Sequence, residues 1–172
     1  MQAFRQLVDC NYSYAFSIAI KILCSEDDAK DAVQECFIKV WKNIYLYNGE
    51  AKFTTWMFRI LSNICFDKLK ANKRRNKVLK NDLEKLGKGI HDNYSNIETA
   101  LMNKELADKI ESISRQLKPK QRIVFVLRDL QELSISEVSN ILGMSESSVK
   151  ANLVYARRNI RGMLEKVYKY EK

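Results

Sequence analysis

The chain has 172 residues with one proline and five glycines among abundant Lys, Glu, Leu, Ile and Ala, so long helices with few tight turns are expected and the predicted fold class is all-α. Thirty Lys+Arg against 21 Asp+Glu leave a net charge of +9, which suits a polyanion such as DNA, RNA or an anionic membrane surface. The best apolar stretch, Ala15 to Ile20, stops at Lys21 and is far too short for a membrane span.

From Phe4 to Leu46 apolar residues recur at helical spacing, with a break near Cys24-Ser25. Ser25 can cap a new helix whose first turn holds Glu26, Asp27 and Asp28, where carboxylates favour the positive end of the helix dipole. In that helix Ala32, Val33, Cys36, Phe37, Val40 and Trp41 make one stripe, predicted to be core. Asp31, Gln34, Glu35 and Lys39 lie largely off it and are available to a partner.

A polar loop, Tyr47-Asn48-Gly49-Glu50, precedes a third run in which Phe53, Trp56, Met57, Ile60, Leu61 and Ile64 repeat at i, i+3, i+4, i+7. Its other face carries Thr55, Arg59, Ser62 and Asn63; Trp56, on the apolar stripe, is predicted to be core. The run then turns basic through Lys68, Lys70, Lys73, Arg74, Arg75, Lys77 and Lys80, with no acid between Asp67 and Asp82. Residues 76–96, where periodicity weakens and Gly87, Gly89, Asn93, Ser95 and Asn96 accumulate, are expected to form a linker, partly helical at its start, between two small helical domains, 1–75 and 97–172.

In the second half Leu117-Lys118-Pro119 turns into a helix whose run Ile123 to Leu127 is too continuous for an exposed face. Ser134-Ile135-Ser136-Glu137 spells a capping box opening a short helix with Val138, Ile141 and Leu142. Gly143 permits a positive φ, Met144 can plug the space between helices, and Ser145 caps the next one, whose inward stripe is Val149, Leu153, Ala156 and Ile160. Outward lie Ser147, Ser148, Lys150, Ala151, Asn152, Val154, Tyr155, Arg157 and Arg158, a mixture of base-edge readers and phosphate binders. No Lys or Arg stands between Asp129 and Glu146, whereas residues 147–172 hold seven basic groups against two acids. A helix-turn-helix with a major-groove second helix needs this sidedness.

Three segments carry a family resemblance. Asp28 to Trp41 resembles the polymerase-binding helix of sigma-factor region 2, Phe53 to Asp67 the following helix that reads and opens the minus-ten element, and Leu117 to Ile160 the region 4 reader of the minus-thirty-five element. Their order and spacing, without an intervening region 3 domain, are similar to the extracytoplasmic-function group of RNA polymerase sigma factors. The resemblance implies that Asp31, Gln34 and Glu35 face the β′ clamp helices of core polymerase, and that the β-flap docks through Leu130 and Leu133. It implies that the loop Tyr47 to Lys52, including Asn48, receives with Ile60 and Asn63 a non-template base pulled from the duplex, while Lys68, Lys70, Lys73, Arg74 and Arg75 hold adjacent phosphates. Ser139 stands where a small alanine is common, and Lys70 where arginine is frequent, which keeps the charge but not a fork-shaped contact. Val154-Tyr155 replaces a basic or aromatic pair and leaves the preferred minus-thirty-five sequence open. Members of the group are commonly held by an anti-sigma factor, and both domains and the linker offer surface for one.

A stand-alone helix-turn-helix regulator, dimeric on a symmetric operator, is the alternative, and an RNA-binding module explains the charge but neither the capped motif nor the acid-bearing helix. Catalysis finds little support: the sole histidine, His91, falls in the expected linker, and there is no Gly-rich phosphate loop or marked carboxylate pair. Cys10, Cys24, Cys36 and Cys65 match no metal spacing and are expected as reduced thiols in helix cores, with no metal or cofactor. Asp9 and Asn11 spoil a signal peptide, so the cytoplasm is the expected compartment.

Overall fold

The computed structural model describes residues 2–83 and 113–170, with side chains over 2–75 and 113–166, and every regular element among them is helical. Helix α1 (Gln2–Leu23) buries Ala15, Ile18, Ala19, Ile22 and Leu23 along one stripe. It ends at Cys24, whose φ of 51° closes the last turn as its amide donates to Ile20 O at 2.7 Å. Helix α2 (Glu26–Asn43) starts at the expected cap: the Ser25 hydroxyl accepts from the Asp28 amide at 3.3 Å, and Glu26, Asp27 and Asp28 fill the first turn. A 3₁₀ turn (Ile44–Leu46) leads through the polar loop to α3 (Phe53–Leu83). Residues 76–83, the start of the expected linker, continue this helix. The rest of the expected linker, His91 and the periodic run from Ile97 lie outside the described residues.

The three helices form a bundle around Ile22, Val33, Cys36, Val40, Met57, Leu61 and Cys65. Burial pushes the thiols of Cys36 and Cys65 up to about 12, so both are inert hydrophobes at neutral pH. The other two cysteines depart from the expected core placement: Cys10 is exposed on α1, and Cys24 is half-buried at the α1 terminus.

In the second half α4 (Pro119–Phe125) carries Pro119 in its first turn, and residues 121–127 are all buried. The chain then loosens into a π-helical turn (Val126–Leu130), closed by the Gln131 amide on Val126 O at 3.0 Å. Helices α5 (Ile135–Leu142) and α6 (Glu146–Tyr170) follow. One continuous core joins the halves, since Ile123, Val124, Val126, Leu127, Val138 and Ile141 pack into the same cluster as the α1–α3 bundle. A smaller cluster of Ile113, Leu117, Phe125, Ala156 and Ile160 secures α6 against α4.

Candidate nucleic-acid interface

In the first half the loop after α2 is held by its own side chains. The Tyr47 hydroxyl donates to Ala51 O at 2.7 Å, and Asn48 Oδ1 accepts from the Glu50 amide at 3.2 Å. The Tyr47 ring lies 5.7 Å from Phe53 and 5.5 Å from Trp56, so the loop is fastened to the first turn of α3 by an aromatic cluster. Trp56 is half-buried against the core, as its place on the stripe foretells. Trp56, Ile60 and Asn63 stand at i, i+4 and i+7 and share one face of α3, with Asn63 exposed and Ile60 half-buried. An exposed amide at the edge of an aromatic and aliphatic wall can hydrogen-bond a base edge while the wall shields its face.

The basic end of α3 is not uniform. Lys73, Arg74 and Arg75 are exposed, and Lys70 is exposed with Nζ 4.5 Å from the Phe66 ring centroid. Lys68 instead turns inward across α2, its ammonium 3.9 Å from Asp28 and 3.7 Å from Asp31 with only 24% of the side chain exposed. On α2 itself Asp31 and Gln34 are exposed and Glu35 is half-exposed, bonded to Lys39 at 2.8 Å. Trp41 differs from expectation: it is 49% exposed, with Phe4 edge-on at 4.7 Å. Its position on the stripe faces the start of α1, which covers only one side of the indole. With Tyr12 and Ile38, also more than a third exposed, it extends an apolar strip beside Gln34 that the acidic residues alone did not disclose.

The second-half site follows its local signals closely. Ser134 Oγ accepts from the Glu137 amide at 3.2 Å while Glu137 Oε2 accepts from the Ser134 amide at 2.8 Å. The Ser134 amide, and the Ser134 hydroxyl that also donates to Glu137 Oε2 at 2.8 Å, hold the Glu137 carboxyl below its ordinary value. Gly143 adopts φ 60°, Met144 tucks against the core, and Ser145 Oγ accepts from the Ser148 amide at 3.3 Å. Val149, Leu153, Ala156 and Ile160 are buried, so the opposite face of α6 is fixed outward. Ser147, Lys150, Ala151, Val154, Tyr155, Arg157 and Arg158 are exposed there; Ser148 and Asn152 are half-buried, the Asn152 amide donating to Ser148 O at 2.8 Å. Arg157 is held by Asp129, a partner set in place by the π-helical turn that no local pattern revealed. Leu130 and Leu133 are half-buried, packed against the joint core. Among the described residues no cluster of His, Cys, Asp or Glu is placed to hold a metal, and no helix is long and apolar enough to cross a membrane.

Residues 7–75 match the family profile described as sigma-70 region 2, and residues 107–160 match that of sigma-70 region 4. The chain is 30% identical over 169 residues to the ECF RNA polymerase sigma factor SigW of Bacillus subtilis, a match covering 94% of this chain and 89% of the relative. It is 27% identical over 165 residues to the ECF RNA polymerase sigma-E factor of Escherichia coli K12, covering 92% and 85%. Among solved structures it is similar to the sigma factor RpoE of Bartonella quintana in complex with the anti-sigma factor NepR, with a TM-score of 0.66, 19% identity and coverage of 96% and 98%. It is likewise similar to CnrH in complex with the cytosolic domain of CnrY, with a TM-score of 0.66, 24% identity and coverage of 96% and 89%. At these identities the two likenesses speak to the fold.

Proposed function

The chain belongs to the extracytoplasmic-function group of RNA polymerase sigma factors, which direct the polymerase to promoters, and on that premise we propose how its residues divide the work. Residues 1–75 bind core polymerase and the minus-ten element, residues 97–172 bind the minus-thirty-five element, and 76–96 join them. The observation that carries the assignment is the two-sidedness of α6, whose buried stripe leaves Lys150, Ala151, Val154, Tyr155, Arg157 and Arg158 outward behind a fully capped turn.

Each part has a physical task. The exposed Asp31 and Gln34, with Glu35, meet the β′ clamp helices, and Leu130 with Leu133 meets the β-flap. Asn63 and Ile60, together with Tyr47 and Asn48 of the loop, receive an unstacked non-template base, whose extraction costs on the order of a few kcal/mol and needs stacking and amide hydrogen bonds to offset it. Lys70, Lys73, Arg74 and Arg75 hold the neighbouring phosphates; Lys68 joins them only if it leaves Asp28 and Asp31. Ser147, Ser148 and Asn152 lie at the entry of the recognition helix for base edges, while Lys150, Arg157 and Arg158 supply phosphate contacts. The protein acts in the cytoplasm as a non-catalytic initiation subunit, and an anti-sigma factor is a further partner of the same surfaces.

Run-off transcription with cognate core polymerase and the promoter upstream of the protein's own gene tests the proposal. Specific initiation that requires the chain is the expected result. A chain that binds that promoter but never associates with core in a pull-down would instead be a stand-alone regulator.

A further inference from the structure

Between α3, α4 and α5 lies a cavity of about 210 Å³ that none of the roles assigned above explains. Its frame is tied together. Arg59, on α3 one turn before Asn63, donates from Nε and Nη2 to the backbone carbonyl of Asn140 on α5, at 3.2 and 2.6 Å. Ile123 of α4 is buried in the core that α3 and α5 share, and Gly143, at φ 60°, closes the α5 end without a side chain. The cavity is therefore formed before any ligand arrives.

Its lining has two characters. Phe66, Ile123, Leu142 and Met144 supply apolar walls, while Ser62, Asn63 and Lys120 supply polar groups at graded depth. Ser62 is 1% exposed, whereas Asn63 and Lys120 reach solvent, so the cavity leads inward from a polar mouth to a hydroxyl. A serine within a helix can return its hydroxyl to the carbonyl four residues back. The Ser62 hydroxyl does not, and it has no hydrogen-bond partner among the described residues. A buried polar group left unmet is costly, and this one lines a space large enough to admit a partner.

Size and lining together restrict what that partner can be. Sites for drug-sized ligands run from roughly 300 to 1,000 Å³, so this smaller cavity suits a single fused ring system. An aromatic ring and a thioether favour a flat apolar face. The Asn63 carboxamide needs an edge with a donor and an acceptor side by side, which adenine presents at N6 and N7. The Ser62 hydroxyl can donate to a further ring nitrogen, and the Lys120 ammonium at the mouth suits an attached phosphate.

We propose that this cavity binds the adenine ring of a free nucleoside or nucleotide, Asn63 meeting its N6–N7 edge, Ser62 a deeper ring nitrogen and Lys120 the phosphate where one is carried. Asn63 is then held by the ligand and withheld from a promoter base. That consequence rests on the base-capture role assigned to Asn63, whereas the site itself does not.

The test titrates the full chain with AMP, adenosine, GMP, CMP and inorganic phosphate, followed by amide NMR signals. AMP should bind saturably with a Kd of about 1 mM or tighter, shifting the signals of Asn63 and Gly143. Adenosine should bind more weakly than AMP by a factor that Lys120→Ala removes. GMP, CMP and phosphate alone should bind roughly tenfold or more weakly. Ser62→Ala deletes an unpartnered hydroxyl, so the free variant should melt no lower than wild type, yet its AMP affinity should fall roughly three- to tenfold. AMP at tenfold excess over Kd should raise the wild-type Tm by roughly 3–6 °C, and by less in that variant. No saturation by about 10 mM AMP, shifts away from the cavity, or wild-type AMP affinity in both Ser62→Ala and Asn63→Ala overturns the site and leaves the cavity to solvent. GMP binding as tightly as AMP overturns the adenine assignment. Failure of base capture shows separately, as unaltered minus-ten discrimination in Asn63→Ala, and the titrations still decide the site.

Discussion

Arg157 and Asp129 meet fork to carboxylate, Nε on Oδ2 at 2.8 Å and Nη2 on Oδ1 at 2.6 Å, tying the recognition helix to the π-helical turn ahead of the motif. The hydrogen bonds raise the Arg157 pKa, and Asp129 takes up two of its five donors and part of its charge. Arg158, next along the helix, is exposed and has no ion pair among the described residues. In titrations of a minus-thirty-five duplex at several salt concentrations, Arg158→Ala should lower the slope by about one phosphate contact. Arg157→Ala should lower it by less, and Asp129→Asn should steepen it. Equal losses from the two alanine variants would remove this ordering.

Asn63 stands exposed on the face of α3 shared with Ile60 and Trp56. Asn63→Ala should lose about 1–3 kcal/mol of discrimination at one minus-ten position, the worth of a good amide contact to a base. Affinity for the minus-thirty-five duplex should not change. Open-complex formation on cognate and singly substituted promoters gives the measurement, and unaltered discrimination would move base capture elsewhere.

The capping box predicts both a stability loss and a pH effect. Ser134→Ala should cost about 1 kcal/mol, read as a Tm lower by roughly 2–4 °C. Because Glu137 is held below its ordinary 4.5, its contribution is complete above that pH and disappears as pH falls through the lower folded value. Thermal melts in mild acid should therefore show a shallower pH dependence in Ser134→Ala than in wild type.

Cys36 and Cys65 predict the opposite limb. Unfolded thiols ionise near 9.0, whereas burial raises both to about 12, so stability is intact below pH 9 and declines between 9 and 12. The ceiling is about 1.4 kcal/mol per pH unit for each thiol. Urea titrations from pH 8 to 11 should show this fall, reduced in Cys65→Ala by one thiol's share. A slope identical in that variant would place the alkaline transition on other groups.

Features with local causes were legible in the sequence. Ser25, Ser134, Glu137, Gly143 and Ser145 cap helices through bonds spanning a few residues, and all five do so as spelled. The buried stripe of α6 followed equally from spacing. Trp41 did not, because periodicity identifies the face of a helix but not whether a neighbour is long enough to cover it. Arg59 and Asn140 lie 81 residues apart, and the pairing depends on how two independently patterned halves come together. Asp129 meets Arg157 from a π turn in the helix before the motif, which no residue in Val126 to Leu130 announces.

Helix α3 is one uninterrupted rod from Phe53 to Leu83, and this gives it the character of a ruler. Asn63 and Lys73 are separated along it by about 15 Å, close to four base-pair steps of duplex. Their relative bearing is set by ten residues of helical turn, so distance and direction cannot be adjusted independently. One residue inserted between them would swing the basic end by about 100° while lengthening the rod by only 1.5 Å. Seven would return it to nearly the same bearing about 10 Å further on. The spacing between a captured base and its phosphate anchor is therefore a property of helix pitch, and it can drift in evolution only in near-whole turns.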